Sequence, residues 1–98
     1  MKRYAVHYLH GTSNAVIVLQ YPSLETSSLV IVAPLVDADN LPEIAPITPI
    51  LDYEGKRWMV LTYRLAAIAE SDLGEMVTSF EDEDYVFQRA ISRLFYGN

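Results

Sequence analysis

Between Leu29 and Leu35 the chain reads LVIVAPL, an apolar run without a single polar side chain. It is short for a helix and has the length of a strand covered on both faces, so it predicts a central strand. Pro34 has no N–H to donate, and the run is therefore expected to meet a bulge or an edge there. A central strand requires neighbours, and the rest of the sequence has to supply them.

Most of it reads that way. Arg3 to Leu9 is rich in aromatic and β-branched residues, HGTSN after it is a turn cluster, and AVIVLQY (Ala15 to Tyr21) is a second strand, which together predict a hairpin. PSLETSS, from Pro22 to Ser28, reads as a loop, and the acidic, proline-containing stretch Val36 to Pro46 as a connection. ITPILD and KRWMVLTYR flank DYEG (Asp52 to Gly55), a strong hairpin signal. Strand alternation places Trp58, Val60 and Thr62 on one face and Met59, Leu61 and Tyr63 on the other. LAAIAESDLGEMV (Leu65 to Val77) is ambiguous on its residues alone, because its alanines favour a helix while Gly74 interrupts a long one.

The last segment predicts a helix. Ser79 is the expected cap, with Asp82 three residues on, and EDED (Glu81 to Asp84) sets negative charge at the positive end of the dipole. Val86, Phe87, Ala90, Ile91, Leu94 and Phe95 form one apolar stripe, and Gly97 falls where a helix-ending glycine belongs. The stripe predicts Phe95 in the core. Tyr96 is off it, on the polar row of Asp84, Gln88 and Ser92, which makes it either an isolated exposed tyrosine or a contact residue.

Composition narrows the function classes. A chain of 98 residues is one domain, able to bury roughly 60% of its unfolded surface. Its formal net charge of −6 disfavours direct binding to nucleic acid or to anionic membranes. The absence of cysteine excludes disulfides, thiolate zinc sites and thiol catalysis. The basic pair near the start precedes no apolar run, and no run has the length of a membrane span, so a cytoplasmic protein is expected.

No constellation points to catalysis, a metal or a cofactor. His7 and His10 are three apart on or beside a strand and face opposite sides. DADN (Asp37 to Asn40) lacks the glycine and distal glutamate of a calcium loop. Ser27, Ser28 and Thr62 have no base nearby in sequence, and no nucleophile elbow, phosphate loop or zinc-protease motif occurs. These features predict a protein that acts by contact.

Read together, several motifs resemble the CcdB toxins of plasmid and chromosomal toxin–antitoxin modules. AISRLFYGN is similar to that family's A-I-x-x-[LM]-F-W-G-I through Ala90, Ile91, Leu94, Phe95 and Gly97. LGEMV (Leu73 to Val77) resembles its I-G-E-x-V, Trp58 and Thr62 its W-x-x-x-T strand, Pro49 its Y-P-V-V and APL (Ala33 to Leu35) its I-P-L. The likeness runs without a gap from about Ile47 to the end. It implies a mainly β fold, a small SH3-like antiparallel barrel with a C-terminal α-helix, and so resolves Leu65 to Val77 into strands and a turn.

The resemblance also implies a homodimer and two protein partners, the A subunit of DNA gyrase and a cognate CcdA-like antitoxin. Such toxins trap the cleaved-DNA complex of gyrase, serve plasmid maintenance, and repress their own operon together with the antitoxin, which makes DNA an indirect partner. A two-fold toxin suits a two-fold target. The implied gyrase-binding residues are Ser92, Phe95, Tyr96, Gly97 and Asn98. The family carries an indole and an isoleucine where this chain has Tyr96 and Asn98, and an asparagine where it has Ser92. A diverged interaction protein that binds an antitoxin but another target is the alternative reading. A ribonuclease like the MazF-type toxins of related fold is a third, against which the acidic balance weighs.

Overall fold

The computed structural model describes residues 2–21 and 28–98. Among these, seven antiparallel strands curl into a half-barrel sheet, and a single α-helix follows at the C-terminal end. The strands are β1 (Ala5–Leu9), β2 (Ala15–Val18), β3 (Leu29–Asp37), β4 (Ile50–Tyr53), β5 (Lys56–Val60), β6 (Ala66–Ala69) and β7 (Leu73–Ser79), and the helix is α1 (Asp84–Tyr96). The sheet runs β4-β5-β3-β2-β1-β7, with β6 also on β3. The mainly β barrel with a C-terminal helix is the fold expected. No helix of the described residues is long and apolar enough to cross a membrane.

LVIVAPL is the central strand, and it runs on through Asp37. Val36 and Asp37, expected in the connection, pair with Met59 and Trp58 of β5. One edge of β3 lies along β2, and the other is shared: Leu29 to Val32 pair with β6, and Leu35 to Asp37 with β5. Pro34 sits at the handover. Its carbonyl accepts the Leu61 N–H at 3.0 Å, so its nitrogen faces the same edge, where the partner changes and no ladder bond is lost. The predicted bulge or edge is therefore a change of neighbour within a central strand.

Both faces of β2 and β3 are covered. Ala15, Ile17, Ala33 and Leu35 join Tyr4, Val6, Leu51, Trp58, Val60 and Phe87 in the larger core, whereas Val16, Val18, Val30 and Val32 form a second cluster with Leu9, Ile68 and Leu73. Met59 and Leu61, on the other face from Trp58 and Val60, are buried as well.

The predicted hairpins are present, with shorter strands. Between β4 and β5, Glu54 and Gly55 both take positive φ (47° and 80°), the tight two-residue turn that matches strand twist. Thr62 is not strand: Thr62–Arg64 is a 3-10 turn, and the buried Thr62 hydroxyl donates to the Ile47 carbonyl. LAAIAESDLGEMV is β6, a 3-10 turn at Glu70–Asp72, and β7. Gly74 is required where β7 pairs with β1, since a Cβ there would stand 2.9 Å from the Tyr8 carbonyl oxygen. The path's two ends, β4 and β7, meet through a side chain: the Tyr53 hydroxyl donates to the Val77 carbonyl at 3.5 Å. The loop predicted at Pro22 to Ser28 lies, up to residue 27, outside the described residues.

Candidate functional site

The EDED run divides at the helix start. Glu81–Glu83 make a 3-10 turn and Asp84 is the first residue of α1. Ser79 is not the cap. It belongs to β7, its hydroxyl lies 3.4 Å from Glu81 Oε1, and the cap position is Glu83, which makes no side-chain capping bond. The intervening turn displaces the helix by several residues from where the serine could serve it.

Asp84 anchors the helix instead. One of its oxygens accepts the Tyr4 hydroxyl at 2.6 Å and lies 3.3 Å from Arg3 Nη1, and the other accepts from the Gln88 amide. Burial, then the bond to Asp84, push the Tyr4 hydroxyl well above the usual phenol range. The Tyr4 ring stacks on Phe87 at 4.2 Å, and the Arg3 guanidinium stands over the rings of Tyr4 and Tyr21 at 4.7 and 5.4 Å. Tyr4 is 2% exposed and holds a left-handed φ of 60°, a costly conformation for an aromatic residue that the surrounding contacts enforce. Sequence reasoning missed Arg3 and Tyr4. Their partner lies 80 residues away, and no local pattern announces it.

Beyond Ala90 the apolar stripe is buried less and less. Phe87 and Ala90 are fully covered, Val86, Ile91 and Leu94 half-buried, and Phe95 is 60% exposed. The expectation of a core Phe95 is corrected. The helix outruns the barrel beneath it, so a residue can keep the phase of the stripe after the surface it would cover has ended. Tyr96, at 77%, is more exposed still. Gly97 closes the helix at φ 77°, its N–H donating to the Arg93 carbonyl at 3.0 Å.

Beside the exposed tip runs an apolar groove of about 510 Å³ between the helix and the barrel. Leu19, Ile31 and Leu65 give it a floor that the sequence did not single out, and Ile91, Ser92, Phe95 and Tyr96 form the helix side. The structure thus gathers Ser92, Phe95 and Tyr96 on one concave surface. Gly97 and Asn98 are exposed beyond it and do not line the groove. With a few polar groups at its edge, Arg3 and Gln20 among them, this surface can bind an apolar segment of a partner.

His7 and His10 stay apart from this surface. His7 Nδ1 lies 2.9 Å from the Gly74 carbonyl, which makes that nitrogen the donor, and His10 is exposed at the hairpin turn. Among the described residues no three side chains of histidine, cysteine, aspartate or glutamate gather as metal ligands do.

Compared with known proteins, the chain matches the family model described as CcdB protein over residues 3–97. No curated protein matches it.

Proposed function

The chain belongs to the CcdB family of toxin–antitoxin toxins, and from that premise we propose that it acts by contact on the A subunit of DNA gyrase, trapping the cleaved-DNA complex. One observation carries the reading: an exposed aromatic tip, Phe95 and Tyr96, beside an apolar groove, on a helix fixed at its other end by Asp84. Two adjacent aromatics left in water cost free energy that a partner's surface recovers. Ser92, Phe95, Tyr96, Gly97 and Asn98 are the residues proposed to meet gyrase. A cognate CcdA-like antitoxin covers the toxin and, with it, represses the operon. The net charge of −6 leaves DNA contact to the antitoxin. The protein is a cytoplasmic homodimer, and a plasmid-maintenance module is the setting that fits it.

Tyr96 and Asn98 favour a second reading, a relative that still binds antitoxin but has changed its target. Tyrosine offers less stacking area than an indole and carries a hydroxyl, and asparagine removes an apolar end. A gyrase-mediated DNA cleavage assay with purified protein separates the two. Trapped cleavage complexes are expected, fewer with Tyr96→Ala and more with Tyr96→Trp combined with Asn98→Ile. As a hot spot Tyr96 contributes about 2 kcal/mol, roughly thirtyfold in affinity. Cleavage equal in the parent and in a folded chain lacking residues 96–98 overturns the assignment of the tip.

A further inference from the structure

The sheet face that carries the larger core does not end in apolar residues. Partners across a ladder share a face, so the register Tyr8 to Ala15, Ala15 to Leu35 and Leu35 to Val60 sets these four side chains in one row across β1, β2, β3 and β5. Two residues further along β3 and β5 the same face presents Asp37 opposite Trp58, and then Lys56 opposite Tyr53 of β4. The face thus passes from a buried floor, with Leu35 and Trp58 each 8% exposed, to two exposed charges.

At this end of the core lies a cleft of about 450 Å³. Tyr8, Ala15, Leu35 and Trp58 form its floor, Asp37 and Lys56 its rim, and the turn between β1 and β2 its wall. It shares no lining residue with the groove at the helix tip. Floor and wall are fixed. The Tyr53 ring stacks on Trp58 at 5.8 Å. The turn is closed by the Leu9 N–H on the Asn14 carbonyl at 2.8 Å and by the Thr12 hydroxyl, which donates to the Leu9 carbonyl and accepts the Asn14 N–H. The rim, by contrast, is not satisfied from within. Among the described residues Lys56 has no carboxylate within 4.0 Å, and its ammonium stands over Trp58 at 5.7 Å. Asp37 uses one oxygen to accept the Asp39 N–H at 2.9 Å, which leaves the other to a ligand. As a diagonal pair on one face, Asp37 and Lys56 have backbones roughly 7–8 Å apart, room for a small molecule between their side chains.

Two opposite charges that flank one cleft without meeting decide what fits it. A simple anion drawn to Lys56 meets the Asp37 carboxylate, a simple cation meets the Lys56 ammonium, and a purely apolar molecule answers neither. We infer that the cleft binds a small zwitterion, a free α-amino acid with an apolar side chain: its carboxylate on Lys56, its ammonium on Asp37 and its side chain over Tyr8 and Leu35. Such a ligand has no net charge, so the −6 of the chain neither attracts nor repels it, and the cleft has the size of an ordinary ligand site. The proposal does not depend on gyrase being the target.

Trp58 is the sole tryptophan of the chain, so its emission reports on this cleft. The full chain is titrated with L-leucine, with N-acetyl-L-leucine, which lacks the ammonium, and with L-leucinamide, which lacks the carboxylate. Calorimetry runs beside the fluorescence, at about 0.15 M salt to screen the net charge. Saturable binding of leucine is expected, weaker by about fivefold to tenfold for each analogue, the worth of one charge-assisted bond at a partly exposed site. Lys56→Gln should weaken leucine by a similar factor and make leucine and leucinamide indistinguishable. Asp37→Asn should do the same for leucine and N-acetyl-leucine. Loss of packing alone would not match variant to analogue in this way. Both side chains are exposed, so the variants should melt like the parent, and Tyr96→Ala should leave leucine binding unchanged. No saturable binding of leucine by the parent, equal binding of all three molecules, variants that keep the parent's discrimination, or loss on Tyr96→Ala would each overturn the proposal.

Discussion

The Tyr4 hydroxyl holds its proton where a free tyrosine would lose it, and this has a definite consequence for stability. Below about pH 10, the ordinary phenol value, folded and unfolded chains both carry the proton and the bond to Asp84 contributes in full. Above it the unfolded chain releases the proton and the folded chain does not, so stability falls as pH rises. Tyr4→Phe should lower stability near neutral pH by about 1.5–3 kcal/mol, the range for a bond to a charged group, and should flatten the alkaline decline. Urea unfolding of parent and variant across that pH range checks both; parallel declines would show that Tyr4 is not the titrating group. Phe95 makes the opposite case. At 60% exposure, Phe95→Ala should cost the isolated subunit far less than the roughly 3–5 kcal/mol expected at Phe87, as thermal unfolding of the two variants would show.

Elements differ in how openly the sequence displays them. The β4–β5 turn was legible because Glu54 and Gly55 solve a local problem, two successive left-handed residues, with local chemistry. The central strand was legible because an apolar run without periodicity has few other uses. Residues 65–77 were not legible from propensity, since what decides them is remote: Ala66 to Ala69 lie along β3, and Gly74 meets the Tyr8 backbone. The tip was half legible. Periodicity gives the direction in which Phe95 points, but not whether the barrel still lies beneath it, and the groove floor of Leu19, Ile31 and Leu65 comes from three separate segments. Gly74→Ala tests the remote constraint. A Cβ at 2.9 Å from a backbone oxygen forces β7 off β1, and a loss of about 1–3 kcal/mol in urea unfolding is expected. An unchanged midpoint would mean that the β1–β7 pairing has slack there.

For the molecule as a whole, the uneven distribution of exposed aromatic area argues for assembly. Phe95 and Tyr96 flank the tip groove, and Tyr21, 55% exposed, reaches the Arg3 guanidinium that lines it. Such a patch, kept free for the proposed target, is presented twice when the subunit pairs about a two-fold axis. Light scattering at micromolar concentration should return about twice the chain mass, and a clean monomer there would refute the dimer. The pairing of β1 with β7, and of Tyr4 with Asp84, also governs how the protein is made. The first strand and Tyr4 are completed by residues that lie far later in the chain. Until those later residues are made, β1 has only β2 beside it and Tyr4 has neither ring nor carboxylate to meet. Contacts of such long sequence separation form late and slowly. The helix that bears the proposed contact tip is thus fixed late in folding, which leaves an interval in which the first strand exists without the element that completes it.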